Sequence, residues 1–303
     1  MSTANQTTLD AANKVFRALF TEELSQRGEG EIVNAAAMRT SSKAKTVEYD
    51  WLNSFDELRE WVGERQIANM AVESHTIPNV KYESSMTVDR VDVESDSLGL
   101  YGPKVASMVE AYFRKRRSLI ADLLNNGATA GNTGYDGVTF FNAAHPSDGN
   151  GATQGNYVTA TALTGTTFDA AVATMEALVD HRGNPMDILP DTIVVGSALR
   201  ATARNLFGVA TDFGNSNAGS NPYFGAVKVI VDPLISAGAW YLLDTSKALK
   251  PMILQDADNL ELSSLNSIDD EFVVMNDAFF YGTRSRFGVG YGLWQLAYRA
   301  DTA

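Results

Sequence analysis

Between Leu98 and Gly127 the sequence LGLYGPKVASMVEAYFRKRRSLIADLLNNG admits one kind of secondary structure. Val105, Met108, Val109, Tyr112, Ile120, Leu123 and Leu124 recur at steps of three and four, and so line one face of a helix. Pro103 suits its first turn, where a missing N–H leaves nothing unpaired. Asn125, Asn126 and Gly127 can supply a left-handed residue to end it. From Pro103 to Asn126 the helix is about 36 Å long at a rise of roughly 1.5 Å per residue. That is well beyond an average helix, and it makes a strut around which the rest of the chain must be arranged.

Arg114, Lys115, Arg116 and Arg117 fall inside this strut. At 100° per residue they fan around the whole circumference, and Arg116 lands near the middle of the apolar stripe. One reading is a solvated face plus a single arginine whose stem is buried and whose head finds a carboxylate. The other is a helix with no free face, because a neighbouring subunit covers part of it.

The basic girdle stands out because the chain is acidic: 303 residues carry a formal charge of −13, with 45% hydrophobic and 20% charged residues. A chain of this size can bury a large core in one elaborated domain or two. Its charge argues against general affinity for nucleic acid or for an anionic membrane, both polyanions. There is no cysteine, hence no disulfide, thiolate nucleophile or cysteine metal site. The N-terminus MSTANQTTLDAANK lacks a basic start followed by an apolar core, and no apolar run approaches membrane-spanning length. The expectation is a protein made and kept in a cytoplasm.

Upstream of the strut, Ala12, Val15, Phe16, Leu19 and Phe20 share a helical face between Leu9 and Leu24. That helix either packs on its own domain or forms an arm docking on a neighbour, and the loose stretch from Gly28 to Lys43 reads as a linker that would free it. From Tyr49 to Gln66, Trp51, Phe55, Leu58 and Trp61 lie at helical spacing. From Ala68 to Val93 the period changes to two, with Pro78-Asn79 as a turn between extended runs, which predicts a long hairpin. Downstream, Ser147–Thr166 is a loop or a pair of short strands, Phe168–His181 a helix, and Thr192–Val195 a buried strand. Ser197 caps a helix reaching Phe207, and Asn215–Asn221 is an exposed tip. The remainder is β-rich, with strands at Ala226–Val231, Trp240–Leu243, Phe272–Met275 and within Ala278–Tyr298. This order of elements predicts an α+β protein with extended appendages.

Chemistry is harder to find. His75, His145 and His181 have no partners at metal-ligand spacing and read as structural. The acidic groups Asp89, Asp92, Glu94, Asp96 and Asp269, Asp270, Glu271 could each hold a hard cation, but neither follows a calcium-loop pattern. Phosphate-loop, dinucleotide and nucleophile-elbow motifs are missing. The glycines of Arg286-Phe287-Gly288-Val289-Gly290-Tyr291-Gly292 alternate with bulky residues, which fits close backbone packing better than a phosphate cradle. The residues therefore predict no catalytic, cofactor-binding or metal site.

Five strings, in order, carry a resemblance. They are Trp51…Phe55…Leu58-Arg59-Glu60-Trp61-Val62-Gly63-Glu64-Arg65; Ile77-Pro78-Asn79-Val80-Lys81-Tyr82-Glu83; Asp92-Val93-Glu94-Ser95-Asp96-Ser97-Leu98-Gly99-Leu100-Tyr101; Tyr135-Asp136-Gly137…Phe140-Phe141…His145-Pro146; and Tyr281-Gly282…Arg284…Gly290-Tyr291-Gly292…Trp294-Gln295. Together they resemble the Mu-like major head subunit family of tailed bacteriophages across nearly the whole chain. The resemblance implies the α+β Hong Kong 97 type capsid fold, with an N-terminal arm (1–45) and a peripheral domain (46–65 and 96–165) built on a spine helix (98–126). An extended hairpin loop (66–95), an axial domain (166–250) and strands returning to both domains (251–303) complete it.

Such a protein is the major capsid protein of a tailed double-stranded DNA phage or prophage, not an enzyme. It assembles in the host cytoplasm with copies of itself, as hexamers and pentamers, into the icosahedral shell of the virion. The implied partners are separate scaffold, protease and portal proteins, with decoration proteins as further candidates. The DNA is enclosed without sequence-specific binding, and no membrane or cofactor is involved. The alternative is an encapsulin-like shell around protein cargo. The chain begins almost at the arm, which implies that scaffold and protease are separate proteins, and no lysine–asparagine cross-linking motif can be matched. Position along the chain makes Phe16, Phe20, Trp51, Trp61, Arg65, Tyr82, Arg114, Arg116 and Arg117 the candidate inter-subunit contacts.

Overall fold

The computed structural model describes residues 6–49, 75–94, 101–146, 153–180, 183–212, 219–267 and 269–302. The chain opens with helices α1 (Gln6–Gln26) and α2 (Glu31–Ala36), then strands β1 (Ala37–Ser41) and β2 (Thr46–Tyr49). Strands β3 (His75–Pro78) and β4 (Val80–Asp89) and the short helix α3 (Arg90–Glu94) lead into α4 (Gly102–Asn126), the expected strut. Beyond it come β5 (Tyr157–Val158), α5 (Gly165–Glu176), β6 (Thr192–Val195), α6 (Arg200–Phe207), β7 (Thr211–Asp212), β8 (Gly219–Ser220), β9 (Lys228–Val231) and β10 (Ala239–Leu243). The chain closes with β11 (Met252–Leu265), α7 (Glu271–Asn276), β12 (Ala278–Tyr291) and β13 (Ala297–Asp301).

Two sheets divide the work. A four-stranded sheet has the order β1-β11-β12-β4, in which β1 runs parallel to β11 and the other pairs are antiparallel. A five-stranded sheet has the order β5-β13-β10-β6-β9. Its inner strands β6 and β10 are buried at every position, which explains their unbroken apolar sequences TIVV and AWYLL.

The buried apolar residues form two cores, a smaller one on the four-stranded sheet and a larger one that takes in both sheets, Ala37, Met252, Ile253, Leu254, Phe287 and Tyr291 of the four-stranded sheet included, and α4 enters both. Val105, Met108 and Val109 of its first turns pack with Phe16, Phe20, Val88, Leu260, Phe279 and Tyr281. Ile120, Ala121 and Leu124 of its last turns belong to the larger core that includes Phe140, Phe141, Trp240 and Tyr241. Tyr112, halfway along, touches both. The apolar stripe legible in the sequence is thus one helix face shared between two cores.

The helix ends differently from the sequence expectation. Gly127 is right-handed, with φ −62° and ψ −17°, so no left-handed residue stops the spine there. Side chains from distant strands satisfy the last carbonyls instead: Tyr291 Oη donates to Leu123 O at 3.0 Å and Arg299 Nη1 to Asn125 O at 2.7 Å. Glycine is needed at 127 for space, because a Cβ there would sit 2.6 Å from the Phe141 ring.

Several other expectations are corrected. The presumed linker 28–43 contains α2 and β1, and Ile32, Val33 and Ala36 are buried in the larger core. The strands either side of Pro78-Asn79 do not pair with one another: β3 pairs with β2, and β4 pairs with β12. That dipeptide is a crossing between sheets, not a hairpin turn. The apolar run Phe272–Met275 is helical in α7, since it lies where β11 must turn back into β12, and only Val273 of it is buried. Ser197 provides no side-chain cap and begins a single 3-10 turn before α6. The expected helix at 168–181 starts earlier, where Thr164 and Thr167 form a capping box, and ends at Glu176. Strand β11 is not among the strands placed by periodicity and falls only within the strands that the resemblance implies over 251–303. The glycine alternation in β12 does serve close packing: a Cβ on Gly288 would lie 2.5 Å from Pro78 O, and one on Gly290 2.5 Å from Ile77 Cδ1. Strand β3 lies against that bare strip.

Candidate assembly surface

The basic girdle of α4 resolves into four different environments. Arg116 is buried at 2% exposure. Its Nη1 donates to Asp256 Oδ1 at 2.5 Å and to the Tyr112 hydroxyl at 2.5 Å, while Nη2 donates to Asp256 Oδ2 at 3.2 Å. Its Nε stands 2.8 Å from Glu29 Oε1, within ion-pair range but misaligned for a hydrogen bond. The guanidinium also lies over the rings of Tyr112 and Phe287. Asp256 is presented by β11 at an irregularity, where register shifts separate Asp256, Asp258 and Glu261 from regular pairing with β12. Burial opposes the arginine's charge, yet the bonds to Asp256 and the charges of Asp256 and Glu29 outweigh it, and its pKa is raised.

Glu29 answers differently. It is held by Arg116 and, at 2.8 Å, by Arg39. Burial nevertheless pushes its carboxyl above the usual range, because desolvation outweighs both arginines. Its second oxygen, Oε2, is buried with no hydrogen-bond partner, so the charged form lacks the solvation that would favour it.

Arg117 forms a two-point bond with buried Asp232, Nε to Oδ2 at 2.7 Å and Nη2 to Oδ1 at 2.9 Å. Lys115 sits over the Tyr82 ring at 5.8 Å. Arg114 is exposed and makes no ion pair among the described residues. The first of the two sequence readings of Arg116 therefore holds within the chain: its stem is buried and its head finds carboxylates.

Of the residues expected at inter-subunit contacts, Phe16, Phe20 and Arg116 are committed inside the chain. Phe16 meets Tyr281 edge-on at 4.9 Å, and both phenylalanines lie in the core beside the first turns of α4. An amphipathic first helix buries its apolar face on whatever it reaches first, and here that is its own spine and sheet. Tyr82 is half-buried, stacked on Phe287 at 4.4 Å. Arg114 and the outer edge of Arg117 stay open to a neighbour. Trp51, Trp61 and Arg65, along with His181, lie outside the described residues.

Two hollows flank the girdle. One, of about 240 Å³, lies between α4 and the four-stranded sheet, lined by Tyr82, Met108, Lys115, Leu260, Ser285 and Phe287 among others; the Ser285 hydroxyl is buried without a partner. The other, of about 270 Å³, lies between the end of α1 and the middle of α4, bounded by Arg27, Gly28, Gly30, Phe113, Arg114 and Arg117.

Sequence reasoning also left His145 as merely structural, and the structure gives that role a form. The ring is fully buried and stacked on Trp294, centroids 3.8 Å apart, with Nδ1 at 2.5 Å from Asp136 and Nε2 at 3.0 Å from Asn156 Oδ1. Among the described residues, no group of three His, Asp or Glu side chains converges to hold a metal ion, and no helix is long and apolar enough to cross a membrane.

A spine helix threaded through two cores, one long-stranded sheet and one central buried sheet make up the fold of the Hong Kong 97 type capsid proteins. The fold matches a subunit of the bacteriophage JBD30 procapsid with a TM-score of 0.61 at 27% identity, covering 98% of this chain and 76% of that one. It also matches the virus-like particle of Pyrococcus furiosus with a TM-score of 0.54 at 9% identity, over 95% and 98% of the two chains. The sequence matches the model of the Mu-like prophage major head subunit gpT over residues 9–161, 149–235 and 236–303, and the chain belongs to that family. It is 27% identical to the major capsid protein of Escherichia phage Mu and 25% identical to the Mu-like prophage FluMu major head subunit of Haemophilus influenzae, over 87% of this chain in both cases. The chain spans 64% and 63% of the lengths of those two relatives.

Proposed function

We propose that the chain is the major capsid subunit of a tailed double-stranded DNA phage or prophage, assembling with copies of itself into hexamers and pentamers of an icosahedral shell. The observation that carries this is family membership running continuously from residue 9 to 303 on a fold matching a procapsid subunit. Many modest contacts closed by symmetry give such a shell its stability. The formal charge of −13 supports a wall that encloses DNA without trapping it on its surface. Assembly takes place in the host cytoplasm, with a portal protein as a further partner. The JBD30 capsid is decorated with minor capsid protein trimers, which makes a decoration protein a candidate partner here as well.

A second reading, a shell around protein cargo, draws on the fold likeness to the Pyrococcus virus-like particle. Electron microscopy of the purified chain, with nuclease protection and protein analysis of the contents, tests both. Shells that protect DNA when formed with their packaging partners support the first reading, and a co-purifying cargo enzyme supports the second. A chain that stays monomeric or dimeric at every concentration overturns both.

A further inference from the structure

The described surface carries two exposed features of opposite character, at different levels along α4. The first is the tip formed by α7, where Val274 and Met275 are 68% and 78% exposed. Asp269, Glu271 and Asp277 surround them, all exposed, and neither Asp269 nor Glu271 makes an ion pair among the described residues. Large apolar side chains left in water inside an acidic rim are costly for a lone subunit and mark a contact surface.

The second feature is the notch of about 270 Å³ at the end of α1. Phe113 and the bare backbone of Gly28 and Gly30 line it, with Arg27, Arg114 and Arg117 around its mouth. Glu110 also lies there, 3.7 Å from Arg27, and Asp232 occupies the inner edge of Arg117. Arg114 is thus the cation left open in the notch.

The tip and the notch of one chain do not meet. Arg90 N, at the start of α3, donates to Asp277 O at 3.1 Å, and the Tyr101 hydroxyl at the head of α4 donates to Asp92 of α3, which sets the tip near the N-terminal end of α4. The notch is centred near Arg114, about 18 Å further along the helix axis. The partner must therefore be another molecule, and on a chain of charge −13 an arginine-mouthed notch calls for an acid-rimmed insert.

The geometry points to a head-to-tail contact between copies of this chain, in which the Val274–Met275 tip of one enters the Arg27–Arg114–Arg117 notch of the next. Met275 covers the Phe113 ring, a favourable sulfur–aromatic pairing, and Glu271 or Asp277 neutralises Arg114. Tip and notch are different surfaces, so the contact is heterologous and propagates around a ring or across a lattice. It rests on the reading of the chain as a shell subunit.

Charge reversal at each end tests it on the full-length chain. Arg114→Glu and Glu271→Arg should each raise the concentration needed for half-maximal assembly about tenfold, read by sedimentation and electron microscopy. Mixed in equal amounts, the two variants should assemble together at close to the wild-type concentration. Alternation around a hexamer pairs an acid with a base at every junction, and a pentamer keeps a single mismatched one. That rescue requires both variants to be folded, so it separates a lost contact from a lost fold. Wild-type-like assembly of either variant alone, or no recovery in the mixture, overturns the contact. If the wild-type chain itself forms no particles, it is the shell reading that fails.

Discussion

Arg116 Nη1 donates to Asp256 Oδ1 at 2.5 Å, across 140 positions of sequence, and binds the spine helix to the strand that runs beneath it. Removing the arginine leaves Asp256 without its partner and leaves buried Glu29 with Arg39 alone. Arg116→Met is therefore expected to destabilise the unassembled subunit by about 3–5 kcal/mol. The triple variant with Asp256→Asn and Glu29→Gln should recover much of the loss, because no carboxylate is left without its arginine and Arg39, half-exposed, is solvated by water. Urea denaturation followed by circular dichroism checks both, and equal midpoints for the single and triple variants would contradict this account.

Glu29 gives the same site a pH signature. Its folded pKa lies above the ordinary 4.5, so the folded state favours the protonated carboxyl more than the unfolded chain does. The resulting stabilisation is complete below pH 4.5 and is lost as pH rises through the folded value. Glu29→Gln removes this group and leaves the others in place. The stability of wild type minus that of the variant should fall as pH rises above 4.5, and a difference that stays flat or rises would count against the desolvated carboxyl.

Gly127→Ala introduces a methyl group 2.6 Å from Phe141 Cδ2 and 3.0 Å from the Leu123 carbonyl. Repacking around it is expected to cost about 1–3 kcal/mol. Phe141→Leu, made together with it, should lower the additional cost of the alanine by making room. The double-mutant cycle measures that coupling, and strict additivity would mean that the ring is not what glycine accommodates.

Asn156 is the polar hinge of the large core. Its Nδ2 donates to the carbonyls of Phe140, Trp294 and Ala297, and its Oδ1 accepts from Asn142 N. Asn156→Leu keeps the approximate volume but orphans these groups, and should cost about 3 kcal/mol or more. Since Trp294 stacks on the histidine that Asn156 contacts, tryptophan fluorescence should report loosening there before global unfolding. A variant that melts and fluoresces like wild type would show that the bonds are replaceable.

The spine was legible because its signal is local: seven apolar residues at helical spacing and a proline at the start specify it without help from the rest of the chain. Strands β6, β9 and β10 were legible for the same reason. Strand β11 escaped because Asp256, Asp258 and Glu261 interrupt its apolar rhythm where its register shifts. The run Phe272–Met275 misled because four apolar residues suit a strand or a single helical turn, and its position between β11 and β12 decided the matter. At the girdle, sequence located Arg116 in the stripe and posed the need for a carboxylate. It could not name Asp256 or Glu29, since that pairing depends on tertiary placement alone. The commitment of Phe16 and Phe20 to their own chain depended on the same kind of information.

The two ends of α4 are set in separate cores, with Arg116 cross-bolted to the sheet between them. A rod held in that way carries compression along its axis through closely packed turns and resists twisting at its midpoint. A wall built from such pieces is then expected to give first at the joints between them, before the spine itself bends.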